Sequence, residues 1–153
     1  MKVRILQVAE ARIFLDANIL VSVLNKEYPL FTYSSRLLSL IDSKEFQVYT
    51  SPLCLAIAFY FAEKKHGTRV AKSKMDLLAS KINIADNTGE GVRKTTGNKR
   101  IADFEGGLQY YAAKEVACQC IVTEDEADFF FADMEVLTSR AFFEKYLVRK
   151  RKA

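Results

Sequence analysis

The pattern that most constrains the fold is a regular alternation of short apolar strands with helices. Strands are predicted at 12–16, 47–50, 82–85, 120–123 and 136–138, and helical periodicity fills most of the sequence between them. Short, continuously apolar strands are typical of a parallel sheet whose two faces are both covered by helices. The alternation therefore predicts an α/β fold.

The helices are predicted from apolar spacing and from residues that start or stop helices. They cover 17–25, 33–43, 52–66, 68–81, 103–117, 125–131 and 139–148. Ser51 and Pro52 supply an N-cap and a first helical residue, and Gly67 ends the same helix. The segment 86–100 contains three glycines and lacks periodicity, so it is predicted to be a loop. No role is assigned to residues 1–10.

The size and composition of the chain indicate one domain. With 153 residues, 50% hydrophobic and 27% charged, it can bury one sizeable core. We place this domain at residues 1–148, followed by a basic tail at 149–153. Three cysteines without CxxC spacing favour a cytoplasmic location and buried packing rather than disulfides or metal binding. Neither a membrane-length apolar run nor a signal peptide is found, so no membrane association is expected.

Charge is distributed in blocks along the sequence. Residues 63–100 carry ten basic and four acidic side chains (net +6), residues 101–139 carry one and nine (net −8), and residues 140–153 carry six and one (net +5). Basic flanks around an acidic centre suit a site that holds a cation and attracts a phosphate backbone. Solvated helix faces, loop and tail are the alternative. The candidate nucleic-acid contacts are Lys94, Lys99, Arg100, Arg149 and Lys150.

Acidic residues follow two of the predicted strands. Asp16 closes the first strand, and Asp125 lies just past the fourth, with Asp128 one helical turn further on. Because ligand sites of parallel sheets form at the carboxyl ends of strands, Asp16 and Asp125 are expected to converge if their strands are neighbours. Converging carboxylates bind Mg²⁺ or Mn²⁺ or share protons, and metal-assisted phosphodiester hydrolysis is the matching chemistry. Each of these acids, and Asp103, could instead be only a helix cap.

Three motifs, in order, resemble the PIN domain family. FLDANIL at 14–20 is similar to the family's opening strand, which ends in Asp and is followed by x-Asn and an apolar helix. TEDEADF at 123–129 is similar to the closing T-x-D with its following Asp-Phe. Between them, DFEGGLQ at 103–109 resembles the DFEDA-x-Q stretch of many members. The resemblance covers nearly the whole chain, from about residue 12 to 147.

The resemblance implies a three-layer α/β/α sandwich with a central parallel sheet of about five strands. It also implies a Mg²⁺- or Mn²⁺-dependent endoribonuclease like the VapC-like toxins of bacterial toxin–antitoxin pairs. Such toxins are dimeric and are inhibited by a small antitoxin. The partners it implies are therefore RNA, a small antitoxin protein and a second copy of the chain.

The acidic site implied by the resemblance is only partly present in this sequence. Of the family's four main acidic positions, the alignment keeps Asp16 and Asp125, which we predict to hold one weakly bound ion. Ile57 stands where the family has a Glu, and Gly106 stands where it has an Asp. Glu63 is six residues beyond position 57, about 240° round the helix, and is a poor substitute.

Nearby residues are expected to support this reduced site. The predicted catalytic acids are Asp16 and Asp125, with Asp128 and Asp103 as helpers, and Asn18 and Thr123 as residues that order them. One hypothesis is a ribonuclease toxin whose activity is reduced by the two lost acids. The other is a degenerate PIN module that binds RNA or a protein partner without cleaving.

Two aromatic runs, at 59–61 and 129–131, have two interpretations. They could stack on RNA bases or form a dimer surface. Aromatic residues in helices more often pack in the core, and we predict packing for most of them.

Overall fold

A computed structural model describes residues 11–148. Residues 1–10 and the predicted basic tail, with Arg149 and Lys150, lie outside the described residues. Five parallel strands form one sheet in the order β3-β2-β1-β4-β5, which confirms the predicted α/β class. The strands are β1 (Ala11–Leu15), β2 (Phe46–Thr50), β3 (Asn83–Ile84), β4 (Cys120–Val122) and β5 (Glu135–Leu137).

Seven α-helices connect and follow these strands within the described part of the chain. They are α1 (Ala17–Leu24), α2 (Phe31–Ser39), α3 (Pro52–His66), α4 (Thr68–Lys81), α5 (Gly89–Gly97), α6 (Phe104–Glu115) and α7 (Ser139–Phe142). The helix predicted at 125–131 is a single 3-10 turn, Glu126–Phe129. A second 3-10 turn, Leu40–Asp42, extends α2, and a π-helical segment, Phe143–Val148, extends α7. The other predicted helices are found within a few residues of their predicted ends.

The strand order places the helices on both faces of the sheet. From β1 the chain moves one way to β2 and β3, and then crosses to β4 and β5 on the other side. Because connections between parallel strands are right-handed, α1 to α4 cover one face while α5 and α6 cover the other. Phe14, Leu15, Ile121 and Val122, at the centre of the sheet, are fully buried. The arrangement is the predicted α/β sandwich.

The prediction of a loop at 86–100 is wrong, because most of this segment forms helix α5. Thr88 caps the helix by accepting a hydrogen bond from the Gly91 backbone N–H at 2.9 Å. The glycines lower the intrinsic helix propensity, but contacts with α6 outweigh it.

A glycine on α6 makes this packing possible. A Cβ atom at Gly107 would lie 2.4 Å from Thr95 Cγ2 and 2.9 Å from Ile101 Cγ2. Both neighbours belong to α5 or to the turn that follows it. No side chain fits at this position unless α5 moves away from α6.

The cysteines and half of the residues in the two aromatic runs are structural. Cys54, Cys118 and Cys120 are buried and free, as predicted. Of the second aromatic run, Phe129 and Phe131 are buried in the core and only Phe130 is exposed. In the first run, Phe59 packs against the core while Tyr60 and Phe61 are exposed, so three of the six residues pack and the prediction that most of them do is wrong. No helix in the described range of the chain is long and apolar enough to cross a membrane.

Candidate active site

Asp16 lies at the carboxyl end of β1, and it is both a helix cap and a site residue. Its Oδ1 accepts the backbone N–H of Ala17 at 2.7 Å, which caps α1. Its own backbone N–H donates to the carbonyl of Val122 at 3.0 Å, which joins it to the end of β4. The residue is only 7% exposed. The two interpretations of Asp16, cap and site residue, are therefore compatible.

The hydroxyl of Thr123 connects the two strand ends. It donates to Asp16 Oδ2 at 2.7 Å, and it accepts the Asn18 side-chain amide at 3.1 Å and the Asp125 backbone N–H at 3.0 Å. A hydroxyl has one hydrogen and two lone pairs, so all of its hydrogen-bonding capacity is used. This threonine therefore has a single well-defined orientation, and it fixes one Asp16 oxygen.

Asn18 holds Asp16 and Asp125 together. Its Nδ2 lies 3.2 Å from Asp125 Oδ2 and 3.5 Å from Asp16 Oδ2. Its Oδ1 accepts the Glu124 backbone N–H at 3.3 Å. The predicted convergence of Asp16 and Asp125 is thus found, with Asn18 and Thr123 between them. We call these four residues the inner network.

Burial and neighbouring charges raise the pKa of two carboxyl groups of the site, Asp16 and Asp128. The pKa of Asp16 is raised from 3.8 to about 6, chiefly by burial and also by the charges of Asp125 and Asp103, which together outweigh the lowering effect of the hydrogen bonds from Thr123 and Ala17. The pKa of Asp128 is raised by desolvation and by the charges of Asp103 and Asp125. Asp16 is therefore ionised at neutral pH at a cost that a bound cation would relieve.

Asp103 and Asp128 line the same cavity as the inner network. The cavity has a volume of about 450 Å³. Asp103 caps α6, since its Oδ2 accepts the Gly106 backbone N–H at 2.7 Å, so the capping alternative holds for this residue. Asp125 makes no side-chain cap to the 3-10 turn that follows it, so capping is not its role. Seven carboxylates line the cavity in all: Asp16, Glu27, Asp103, Glu105, Glu124, Asp125 and Asp128.

The two positions that lack the family's acids differ in their surroundings. Ile57 lines the cavity from α3 and leaves space beside it. A Cβ atom at Gly106, in contrast, would lie 2.8 Å from Asp103 Oδ2 and 3.0 Å from the carbonyl oxygen of Asp128. Glu63 does not line this cavity, and it accepts a hydrogen bond from Thr68 at 2.8 Å. It is therefore no substitute for an acid at position 57.

Three residues that the sequence did not single out also belong to the site. Gln109 is 3% exposed, lines the cavity, and has an Oε1 atom without a hydrogen-bond partner among the described residues. The Cys54 Sγ lies 4.0 Å from Asp16 Oδ1, and burial together with the Asp16 charge raises the pKa of this thiol to about 12. Glu124 accepts the Ser139 backbone N–H at 2.8 Å, which ties the site to α7. Gln109 and Glu124 had a sequence signal, since each stands in one of the quoted motifs, 103–109 and 123–129, whereas Cys54 had none.

Of the basic residues predicted to contact nucleic acid, the three within residues 11–148, Lys94, Lys99 and Arg100, do not line this cavity. Lys94 pairs with Glu90 at 2.8 Å and lies in a separate cavity of about 320 Å³ beside Tyr111. Lys99 and Arg100 are exposed in the turn after α5. Their predicted contact with phosphate stays a prediction.

The carboxylate oxygens of Asp16 and Asp125 fit one divalent cation whose remaining ligands are water molecules or substrate phosphates. Among residues 11–148, no group of three or more His, Cys, Asp and Glu side chains is arranged as a metal cage. Asp16 and Asp125 nevertheless supply hard oxygen atoms held in place by Asn18. Mg²⁺ commonly keeps several waters and is bound by one or two carboxylates plus substrate phosphates.

A parallel sheet with acids at the ends of β1 and β4 is the arrangement that the family resemblance implies, and the chain belongs to the PIN domain family. The family model matches residues 12–127. Among curated proteins, the chain is similar to Ribonuclease VapC1 of Aquifex aeolicus, with 25% identity over 138 residues that cover 88% of this chain and 95% of that protein.

Two solved structures of similar fold carry Vap names in their descriptions. One is VapC20 of Mycobacterium tuberculosis, described as a sarcin-ricin loop cleaving toxin, with a TM-score of 0.58, 16% identity, and coverage of 71% of this chain and 86% of that one. Another is VapBC2 of Rickettsia felis, described as bound to a promoter DNA fragment, with a TM-score of 0.59, 21% identity, and coverage of 82% of this chain and 96% of that one. At these identities the likeness supports the fold, and the predicted PIN resemblance is confirmed.

Proposed function

We propose that the protein is a metal-dependent endoribonuclease of the toxin type, a hydrolase that cleaves RNA phosphodiester bonds. The observation that carries the proposal is the inner network, which holds two carboxylates at neighbouring strand ends inside an acidic cavity. The similarity to a protein named as a VapC ribonuclease supports the same activity.

Each residue of the site has a part in this chemistry. Asp16 and Asp125 would hold Mg²⁺ or Mn²⁺, which when bound lowers the pKa of a water molecule and neutralises charge on the phosphate. Thr123 and Asn18 fix the carboxylate oxygens of Asp16 and Asp125, so the cation ligands are oriented before substrate arrives. Asp128, with its raised pKa, is the carboxylate best suited to take a proton from water.

A second candidate is a PIN module that binds RNA or a protein partner without cleaving it. The observation that favours it is the pair Ile57 and Gly106, which leaves the cavity without two of the family's acids. Two carboxylates bind a cation more weakly than four, so RNA would have to complete the site.

The two functions are separated by cleavage of a labelled mixed-sequence RNA with Mn²⁺ and with EDTA. The wild type is compared with Asp16→Asn and with the control Asp76→Asn, an exposed acid on α4 outside the cavity. The nuclease proposal expects cleavage that needs Mn²⁺, is lost in Asp16→Asn and persists in Asp76→Asn. Folded wild-type protein that leaves the RNA intact would favour the binding module.

The partners follow from the toxin proposal. The name of the Rickettsia felis relative, VapBC2, supports a small antitoxin that binds this chain, and we also propose a homodimer in the cytoplasm. Residues 1–148 would form one domain, with Lys94, Lys99, Arg100, Arg149 and Lys150 contacting RNA phosphates. Size-exclusion chromatography with light scattering tests the dimer, and the salt dependence of RNA binding in Lys99→Ala and Arg100→Ala tests the phosphate contacts.

A further inference from the structure

The two carboxylates of the inner network are held unequally. Asp16 is 7% exposed, and its two side-chain oxygens accept hydrogen bonds from the Ala17 backbone and from the Thr123 hydroxyl. Asp125 is exposed, and among the described residues its carboxylate contacts only the side-chain amide of Asn18, at 3.2 Å. The orientation of Asp125 therefore depends more on the backbone that carries it.

The loop at 123–125 is bonded to the end of β5 and to the start of α7. The Thr123 backbone N–H donates to the Leu137 carbonyl at 2.9 Å. In the opposite direction, the Ser139 backbone N–H donates to Glu124 Oε2 at 2.8 Å. The first hydrogen bond joins main-chain atoms and does not depend on residue type, whereas the second depends on the side chain of Glu124.

Glu124 also contacts the other side of the inner network. Its backbone N–H donates to Asn18 Oδ1 at 3.3 Å, and the amide nitrogen of the same Asn18 side chain bonds Asp125. Glu124 thus lies between α1, which carries Asn18, and α7, which begins at Ser139. Among the described residues, its side chain bonds neither Asp16 nor Asp125. An effect of this side chain on the orientation of Asp125 must therefore act through the loop.

We propose that Glu124 is a positioning residue, which fixes the loop at 123–125 so that the carboxylate of Asp125 is held beside Asp16. Residues that orient a metal ligand typically contribute about 10- to 100-fold to metal affinity. Glu124 also brings a negative charge to the cavity, which attracts a cation by a separate effect. The inference rests on the proposed function for the cation, but the order of the loop can be measured without one.

Three substitutions separate the hydrogen bond of Glu124 from its charge. Glu124→Gln removes the charge and keeps an oxygen that can accept the Ser139 backbone N–H. Ser139→Pro keeps the charge and removes the donor, at the first position of α7, where proline is favoured and where the extended backbone of Thr138 permits it. Glu124→Leu removes both the charge and the bond.

The control variant is Glu126→Leu. Glu126 is an exposed acid two residues along the chain that does not line the cavity. All proteins are measured well below the midpoint of their thermal unfolding, so that only folded protein contributes. If Ser139→Pro does not fold, the comparison of Glu124→Leu with Glu124→Gln makes the same distinction.

The first measurement is made in EDTA and needs no cation. Exchange of the Asp125 backbone N–H hydrogen with solvent is followed by nuclear magnetic resonance. We expect exchange to be faster by about 10-fold or more in Glu124→Leu and Ser139→Pro, and close to wild type in Glu124→Gln and Glu126→Leu. Unchanged exchange in both Glu124→Leu and Ser139→Pro would overturn the positioning role.

The second measurement is the affinity for Mn²⁺, read from the electron paramagnetic resonance signal of the free ion. We expect binding to weaken about 10- to 100-fold in Ser139→Pro and by less than about 10-fold in Glu124→Gln, where only the charge is lost. Glu124→Leu should bind most weakly, and Glu126→Leu like the wild type. If Glu124→Gln loses as much affinity as Ser139→Pro, Glu124 supplies charge rather than position.

The outcome is distinguishable from that of the cleavage experiment. A loop that loosens in Glu124→Leu, in a protein whose wild type binds no Mn²⁺ and cleaves no RNA, would remove the nuclease proposal and keep Glu124 as the residue that positions Asp125. Cleavage that depends on Asp16 but is unchanged in Glu124→Leu and Ser139→Pro would keep the nuclease and remove the positioning role.

Discussion

Asp16 and Asp103 line one cavity and perform the same local task, and they differ in what their second oxygen does. Each caps the helix that follows it, Asp16 through Oδ1 and Asp103 through Oδ2. The remaining oxygen of Asp16 is ordered by Thr123 and Asn18, which also hold Asp125. No such set of donors surrounds Asp103 among the described residues.

The comparison shows that capping a helix does not occupy a whole carboxylate. A carboxylate has two oxygens: Asp16 caps α1 with Oδ1, while its Oδ2 is held by Thr123 and Asn18 and is the oxygen that the proposed function assigns to the cation. Asp103 contributes negative charge to the cavity, since it raises the pKa of both Asp16 and Asp128. Its side-chain hydrogen bond, however, is the helix cap to the Gly106 backbone N–H. We therefore expect substitutions at the two positions to have very different effects.

The largest difference is expected in cleavage. Asp16→Asn keeps a good N-cap but removes the charge that would hold the cation, so cleavage should fall to the EDTA background, roughly 100-fold or more. Asp103→Asn also keeps its cap, and cleavage should fall by less than about 10-fold, because only a neighbouring charge is lost. Initial rates on the same RNA measure both. Equal losses at the two positions would contradict the distinction between them.

The next largest effect on activity is expected at Thr123, whose hydroxyl holds Asp16 Oδ2. Thr123→Val removes a hydroxyl that bonds Asp16, Asn18 and Asp125, and partners of this kind typically contribute 10- to 100-fold to metal affinity or activity. Thr123→Ser retains the hydroxyl and serves as the control. We expect the Mn²⁺ concentration that gives half-maximal cleavage to be about 10- to 100-fold higher in Thr123→Val than in the wild type, and unchanged in Thr123→Ser. A valine variant that titrates with Mn²⁺ like the wild type would show that the hydroxyl orders nothing.

Stability should respond to the Asp16 charge in the opposite direction from activity. Raising the pKa of Asp16 from 3.8 to about 6 corresponds to about 3 kcal/mol of destabilisation when the carboxylate is ionised. Because the folded state binds this proton more tightly than the unfolded state, stability falls as the pH rises from about 4 to about 6 and then levels off.

Asp16→Asn has no ionisable group at this position and so avoids the cost of a buried charge. In EDTA it should therefore be more stable than the wild type at pH 7, by up to about 3 kcal/mol, and this difference should be smaller at pH 5. Urea unfolding at both pH values measures the difference. A stability difference that stays the same at the two pH values would show that the carboxylate is not strained by burial.

The missing acids give a smaller and more selective effect. Ile57→Glu places a carboxylate where the cavity has room, and we expect cleavage to rise several-fold as cation binding improves. Gly106→Asp should give no gain, because its Cβ would displace the Asp103 side chain and approach the carbonyl of Asp128. If Ile57→Glu leaves cleavage unchanged from the wild type, our alignment of position 57 with the family's Glu is wrong.

The smallest effect is expected for the cap itself. Asp103→Ala removes the bond to the Gly106 backbone N–H, which should lower the free energy of unfolding by about 0.5–2 kcal/mol, while Asp103→Asn should change it little. Thermal unfolding in EDTA compares the two variants. A large loss of stability in Asp103→Asn would mean that its charge, rather than its cap, supports the fold.

The sequence predicted the site where local pattern and topology act together. Asp16 and Asp125 follow apolar strands, and parallel strands bring their carboxyl ends to one edge, so their convergence required only that β1 and β4 be neighbours. The family resemblance added Asn18 and Thr123. These are residues whose positions are set by the backbone of the sheet.

What the sequence could not predict depends on packing between distant segments. Helix α5 was missed because its glycines have low helix propensity, and the contact that stabilises it, against Gly107, is ten residues beyond its end. The aromatic run at 59–61 was not predicted to place one particular ring beside the site, and the structure shows that Phe61 lines the cavity. Cys54 gave no signal at all, since its neighbour Asp16 is 38 residues away in the chain.

The seven carboxylates of the cavity also set an order of events. No lysine or arginine of the described residues lines it, so in the absence of a cation the cavity repels an approaching phosphate. Under the proposed function, RNA would therefore enter the cavity only after a divalent ion has bound, or together with one. The cellular concentration of free divalent ion would then control whether RNA can enter the cavity. Protein mixed with the ion before RNA is added should cleave without a lag, whereas protein mixed with RNA before the ion is added should show one.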